Sequence, residues 1–124
     1  MRLDDRGFDR ILKETLATLP EDIRGALESV QLVVREEPTP EQLDNTGLPP
    51  DETLYGLFEG VALPEKVYPD TQLFPDRVTV FKGPLQEDFP DPEDLRREIR
   101  LTLLHELGHY FGFTEEELKK RGYQ

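Results

Sequence analysis

The sequence contains no cysteine, and this absence removes several classes of protein at once. A chain without cysteine cannot be a disulfide-stabilised scaffold, a zinc site built on thiolates or an enzyme with a cysteine nucleophile. Apolar runs of the length that a membrane span needs, about 18 residues, are also absent. Basic residues are the minority, because 15 Lys and Arg stand against 27 Asp and Glu, for a formal net charge of −12. We therefore expect neither a nucleic acid nor a membrane as a partner.

The 124 residues match the length of one small domain, and we expect residues 1–124 to form a single domain. The N-terminus begins with charged residues and lacks the apolar segment that is typical of a secretory signal. Together with the lack of cysteine, this pattern predicts a cytoplasmic location. Eleven prolines argue against an all-helical bundle. The order of patterns along the chain predicts an α+β fold: helices, a strand, a long loop, two strands and two more helices.

The first third of the chain predicts two helices and a strand. Apolar residues recur at steps of three and four over residues 8–19, which is typical of an amphipathic helix, and Pro20 ends it. A second helix is expected to start with Pro20 in its first turn and to reach about Glu28. Residues 30–35 are rich in β-branched side chains, which favours a strand.

The middle of the chain alternates between proline-rich and strand-like segments. Residues 37–52 and 64–76 predict loops, with at most one helical turn at residues 40–43. The nearly continuous apolar pattern of residues 53–63 predicts a strand buried on both faces. Residues 77–82 alternate between polar and apolar side chains and predict a third strand, closed by Gly83 and Pro84.

The last third carries explicit helix boundaries. Asp91 followed by Pro92 predicts an N-cap and a first helical residue, and Gly112 is a good residue just beyond the C-terminus at about Phe111. Thr114, with Glu three residues later, matches a capping box and predicts a short last helix through about residue 121. Residues 101–113 are apolar around most of the helix, which places this segment inside the domain.

Both histidines of the chain lie on this long helix, in the order His105-Glu106-x-x-His109. Four residues advance a helix by about 400°, so the two imidazoles lie about 40° apart and one turn along the axis, where they can bind one Zn²⁺. Glu106 lies about 100° round the helix from His105, where it can reach a water held by the metal and act as a general base. Gly108 costs helix stability, which close approach of another segment or access to the site would explain.

A third zinc ligand from the protein must be a carboxylate, because the chain has no third histidine and no cysteine. Glu115 is the first choice, since Gly112 lets the chain turn back towards the metal. The competing interpretation is that Glu115 and Glu116 serve only to begin the last helix and to complement its dipole. Glu116, a more distant residue such as Glu98, or no protein residue at all are the alternatives for the ligand.

The spacing from His105 to Glu115 resembles the metzincin signature H-E-x-x-H-x-x-G-x-x-H, with glutamate in place of the last histidine. It departs from the gluzincin pattern, whose glutamate ligand lies further downstream. Over roughly residues 8–120, the chain resembles the minimal zincin-like metallopeptidases, a family of small bacterial proteins. The resemblance is carried by residues 54–61, 75–84 and 104–112. It implies a reduced zincin fold, with a small three- to four-stranded mixed sheet packed on the motif helix, and supports Glu115 as a ligand.

The function that we expect is hydrolysis of peptide bonds in a peptide or protein substrate, with a water activated by Zn²⁺. His105, His109 and Glu115 would bind the metal, and Glu106 would be the catalytic residue. Tyr55, Tyr110 and Tyr123 are the candidates for stabilising the oxyanion, and the sequence does not choose among them. The alternatives are a catalytically inactive zincin-derived binding or regulatory module with weak or no metal, and a protein that stores or senses a divalent metal.

Overall fold

The computed structural model describes residues 5–49, 51–67, 72 and 74–123. The helices and strands of these residues are, in chain order, α1 (Asp5–Leu16), α2 (Glu21–Gly25), β1 (Gln31–Arg35), α3 (Pro40–Thr46), β2 (Gly56–Glu59), β3 (Arg77–Phe81), α4 (Lys82–Asp88), α5 (Pro92–Phe111) and α6 (Glu115–Arg121). Short 3₁₀ turns follow α2, at Ala26–Glu28, and β2, at Leu63–Glu65. No helix among these residues is long and apolar enough to cross a membrane.

The three described strands form one mixed sheet in the order β1-β3-β2. β1 pairs with β3 in parallel, with Leu32 opposite Val78, and β2 pairs with β3 antiparallel, with Phe58 opposite Val78. β3 is therefore the central strand, and its residues from Val78 to Phe81 are buried. This architecture confirms the expected α+β fold with a small mixed sheet and N-terminal helices.

The core lies between the sheet, α5 and α1. Helix α5 packs against β2 and β3 on one side and against α1 on the other. The predicted apolar stripe of α1 is the face that is buried, with Phe8 completely inaccessible. The buried side chains of α5 recur at steps of three and four along the helix: Leu95, Ile99, Leu103, Leu104, Leu107 and Tyr110. Burial of these side chains fixes which face of α5 remains for a functional site.

The structure corrects the predicted strand over residues 53–63. β2 contains only Gly56–Glu59, and its Leu57 and Phe58 are half-buried rather than buried on both faces. Beyond Glu59, the Val61 N–H donates to the side chain of Asp76 instead of to a backbone carbonyl of the ladder. The central position of β3 leaves β2 with an open edge, on which no strand of the described residues pairs.

Three further predictions differ from the structure. Gly83 and Pro84 do not close a strand into a loop but lie in the first turn of α4, where the missing proline N–H has no helical partner to lose. The first helix ends at Leu16 instead of residue 19, because the chain tightens into a turn in which the N–H groups of Thr18 and Leu19 bond to carbonyls three residues earlier. In the predicted loop of residues 37–52, the expected single turn is a complete helix, α3, with a capping box between Thr39 and Gln42.

Candidate metal centre

The two histidines project from the last two turns of α5. Asp91 caps the start of this helix by accepting hydrogen bonds from the N–H groups of Glu93 and Asp94, and Gly112 ends it with a φ of 82°. The imidazole centroids of His105 and His109 are 4.7 Å apart, with the ring planes at 81°. Both side chains are about one-third exposed. The two rings therefore share one solvent-accessible face of the helix.

Glu115 is returned to this face by the turn at Gly112. The Thr114 side chain caps α6, so Glu115 is its first residue. Packing of α6 on α5 then fixes the angle of the turn: a Cβ on Gly108 would overlap with the Leu118 side chain, which is fully buried. The glycine predicted to allow close approach or site access is thus a close-approach position for α6.

The three predicted ligands are brought together. The Glu115 Oε1 atom is 3.8 Å from the Nε2 atom of His105 and 3.8 Å from that of His109. One donor atom from each of the three residues lies within 4.8 Å of the others. Zinc binds such atoms at about 2.0–2.2 Å, so small side-chain rotations bring all three within bonding distance of one ion.

The two alternative carboxylates are placed elsewhere. Glu116 is 80% exposed and forms an ion pair with Lys120, with a distance of 3.6 Å between Oε1 and Nζ. Glu98 lies two turns before His105 on α5 and is not part of the three-residue group. The described residues therefore favour Glu115 over Glu116 and Glu98 on geometry.

The side chain of Glu106 extends from α5 to the open edge of β2. Its Oε1 atom accepts a hydrogen bond of 2.8 Å from the backbone N–H of Phe58, and its Oε2 atom lies 3.9 Å from His105 Nε2. Burial raises the pKa of Glu106 to about 7; the Phe58 N–H opposes this shift and the charge of Glu115 adds to it. A carboxyl group with this pKa is suited to accept and return a proton near neutral pH.

Burial also acts on His109. It lowers the pKa of this imidazole, and the neighbouring His105 adds to the effect, while the Glu115 carboxylate opposes it. The neutral ring, which is the form that binds metal, is therefore favoured at neutral pH.

Close contact between β2 and α5 depends on Gly56. A Cβ on this residue would overlap with Thr102 Cγ2 and would lie 3.4 Å from Glu106 Cγ. Neither this contact nor the Phe58 N–H was expected from the sequence. A backbone amide has no sequence signature, and only the Gly56 in a strand-like run hinted that another segment approaches there.

A cavity of about 360 Å³ opens beside His105 and Glu106. Tyr55 lines it, but its hydroxyl donates to the Asp88 carboxylate and so is not free to donate to a substrate oxygen. Tyr110 is buried against Phe58 and lines a different cavity, and Tyr123 packs against the core. Of the three tyrosine candidates, only Tyr55 is therefore beside the site.

A helix that carries two histidines four residues apart with a glutamate after the first, and that packs against a small mixed sheet, is typical of the zincin class of proteins. The chain belongs to the zincin-like metallopeptidase family, whose model matches residues 27–123. In fold it is similar to a conserved hypothetical protein from Thermus thermophilus, with a TM-score of 0.56 and 21% sequence identity over 94% of this chain and 97% of that one. No curated protein matches the sequence.

Proposed function

We propose that the protein is a zinc-dependent peptidase in which His105, His109 and Glu115 bind the metal. The convergence of two imidazole nitrogens and one carboxylate oxygen within 4.8 Å is the observation that carries the proposal. Two nitrogens and one oxygen form a ligand set of the kind found at catalytic zinc sites, which leave a position open for water or substrate. The partly exposed face of α5 gives a substrate access to that position.

The proposed role of Glu106 follows from how its two oxygens are placed. A bound zinc ion would polarise the peptide carbonyl and lower the pKa of a water molecule. The Phe58 N–H holds one Glu106 oxygen, and the other lies 3.9 Å from His105 Nε2. That oxygen would take a proton from the attacking water and then pass it to the leaving amine.

The open edge of β2 is the proposed platform for the substrate backbone. Because Tyr55 C=O accepts from Phe81 N–H, the alternate residues Gly56 and Phe58 direct their backbone groups away from β3. The Phe58 N–H is taken by Glu106, so the proposed pairing uses the backbone of Gly56 and the Phe58 C=O. An extended peptide could pair with this edge as an added strand. β3 is paired on both sides and is excluded from this role.

The proposal is tested by measuring bound metal and peptide cleavage together. Mass spectrometry of the zinc-loaded protein should show one zinc per chain, and a peptide library should be cleaved. Glu106→Gln should retain the metal and reduce kcat/KM by at least about 100-fold. Glu116→Gln, an exposed glutamate outside the site, is the matched control and should leave cleavage unchanged. Absence of both metal and cleavage would reject the peptidase and leave an inactive zincin-derived module.

The third ligand has its own test. Glu115→Ala should weaken zinc affinity at least about tenfold, as measured by competition with a chromophoric chelator. Glu116→Ala removes the adjacent carboxylate and should have no such effect, because its side chain pairs with Lys120 instead. Equal affinities for the two variants would remove Glu115 from the proposed ligand set.

A further inference from the structure

Two separate segments of the chain form the walls of the cavity beside His105 and Glu106. One wall is the face of α5 that carries Glu98, Leu101 and Thr102, and the other is the segment 53–56 that leads into β2. Its volume of about 360 Å³ falls at the lower end of the range for ligand pockets, about 300–1,000 Å³. A space of this size beside the proposed metal site is suited to one long side chain of a bound peptide.

Glu98 places a negative charge at the far end of this cavity. It precedes His105 by seven residues, which on a helix corresponds to two turns, about 10 Å, on the same face. Thr102 lies between them, so the polar stripe along this face is continuous from Glu98 to the histidines.

Glu98 differs from the other acidic groups around the cavity in having no partner among the described residues. Asp88 accepts from the Tyr55 hydroxyl, and Glu106 accepts from the Phe58 N–H, whereas Glu98 forms no hydrogen bond or ion pair within the described part of the chain. Its charge nevertheless reaches the cavity. The pKa of Tyr55 is raised to about 12, chiefly by burial and by Asp88, and Glu98 adds to that rise.

The described lining of the cavity offers Glu98 no side-chain cation, and a metal at His105 would lie about two helical turns away. None of the described residues that line it is a lysine or an arginine. A carboxylate beside apolar walls interacts more strongly with a cation than it would in open solvent. Lysine and arginine combine a long aliphatic stem, which suits these walls, with a terminal charge that suits Glu98.

We propose that this cavity receives a lysine or arginine side chain of the substrate, next to the bond that is cleaved, and that Glu98 is the residue that selects it. This assignment rests on the proposed peptidase function, because it places the bound peptide across His105 and His109. It assigns the protein to basic peptides or basic segments of proteins as its substrate class.

Binding is measured separately from cleavage in the test. The zinc-loaded Glu106→Gln protein is titrated with fluorescein-labelled peptides that carry one variable residue among alanines: lysine, arginine, norleucine or glutamate. We expect the lysine and arginine peptides to bind at least about fivefold more tightly than the norleucine peptide. Adding Glu98→Gln should abolish this preference, and adding Glu98→Lys should reverse it in favour of the glutamate peptide.

Glu93→Gln is the matched control, since Glu93 lies on the same helix but is 77% exposed and pairs with Arg96. It should leave the preference intact. Equal binding of the lysine and norleucine peptides, or a preference that survives Glu98→Gln, would overturn the assignment, as would a failure of all four peptides to bind.

Cleavage by the wild-type protein separates this proposal from the one on which it rests. If the wild-type protein cleaves the alanine peptides without regard to the variable residue, the peptidase stands and the Glu98 assignment is wrong. A basic preference in binding without any cleavage would support the cavity assignment and reject the peptidase. In the expected case, mass spectrometry finds lysine or arginine within two residues of the cleaved bonds.

Discussion

Glu106 and Asp76 are both shielded carboxylates, with side chains that are 13% and 6% exposed, and yet their pKa values move in opposite directions. Burial would raise the pKa of Asp76, but Lys66, Gln72 and the backbone N–H of Val61 hydrogen-bond to it and lower the pKa below its ordinary value. Glu106 has one backbone donor, from Phe58, and Glu115 nearby as a second negative charge, so burial prevails. Two things separate the carboxylates: Asp76 has more partners, one of them a cation, and Glu106 lies deeper in the fold.

The two regions therefore use a buried acid for different purposes. The Asp76 region is fully satisfied, and its contacts fasten the segment after β2 to the residue before β3. Glu106 accepts one hydrogen bond among the described residues, and its other oxygen faces His105. A carboxylate kept in this way costs the folded protein stability, while it gives the site a proton acceptor.

The largest expected effect on stability comes from removing the charge at position 106. Because the pKa of Glu106 is raised from 4.5 to about 7, the folded state favours the protonated form. The cost of ionising it is absent below about pH 4.5, grows as the pH rises and is complete above pH 7. At about 1.4 kcal/mol per pKa unit, Glu106→Gln should raise the free energy of unfolding by roughly 3 kcal/mol at pH 8, as measured by urea denaturation in EDTA.

The control for this prediction is the pH dependence itself. At pH 4 the gain from Glu106→Gln should be close to zero, because the wild-type carboxyl is then protonated in both states. Glu116→Gln, at an exposed position, should change stability by less than about 0.5 kcal/mol at either pH. A Glu106→Gln protein that is no more stable than the wild type at pH 8 would show that the two regions do not differ in the way proposed.

Asp76→Asn should have the opposite sign and a smaller size. The amide cannot pair with the Lys66 ammonium, whose nitrogen is 2.8 Å from Asp76 Oδ2, and so the substitution should lower the free energy of unfolding by about 2 kcal/mol at pH 7. Since the folded-state pKa of Asp76 is lowered, its contribution is present above the ordinary aspartate pKa of about 4 and is lost as the pH falls through the lower, folded value.

The measurement is urea denaturation of both proteins from pH 7 down to pH 2. The curves of stability against pH for the wild type and Asp76→Asn should converge only at the acidic end. Convergence at neutral pH instead would mean that Asp76 is not held as an anion by Lys66 and its neighbours.

Local signals in the sequence predicted the part of the site that lies on one continuous stretch of chain. Asp91, Gly112 and Thr114 set the ends of α5 and α6 through hydrogen bonds to residues two to four positions away, and their roles are as expected. The helical period then placed His105 and His109 on one face. These interactions are short-range, which is why a pattern of residues can report them.

Contacts between distant segments were not predictable in the same way. The hydrogen bond from Phe58 to Glu106 joins residues 48 positions apart, and it exists only because β2 forms the open edge of the sheet above α5. The sequence predicted the strands, but it gave no means of ordering them within a sheet. The α4 helix was missed for another reason: Gly83 and Pro84 signal a chain break, yet both are tolerated in a first turn.

The smallest expected effect tests whether the contact between β2 and α5 keeps Glu106 buried. A Cβ at position 56 would overlap with Thr102 Cγ2 and lie 3.2 Å from the Thr79 carbonyl oxygen, so Gly56→Ala should push β2 away from α5. The expected loss of stability is about 1.5 kcal/mol at pH 4, where Glu106 is protonated in both folded and unfolded states. Water admitted beside Glu106 should bring its pKa back towards 4.5, so that the loss becomes smaller at pH 8.

Two further variants test whether the overlap at position 56 causes this loss of stability. Gly25→Ala introduces a Cβ that would have no atom within 4 Å, at a residue with a helical φ of −59°, so it should not reduce stability. Combining Gly56→Ala with Thr102→Ser removes the overlapping Cγ2 atom and should restore part of the lost stability. If Gly56→Ala is equally destabilising at pH 4 and pH 8, the burial of Glu106 does not depend on β2, and its raised pKa must come from α5 and Glu115 instead.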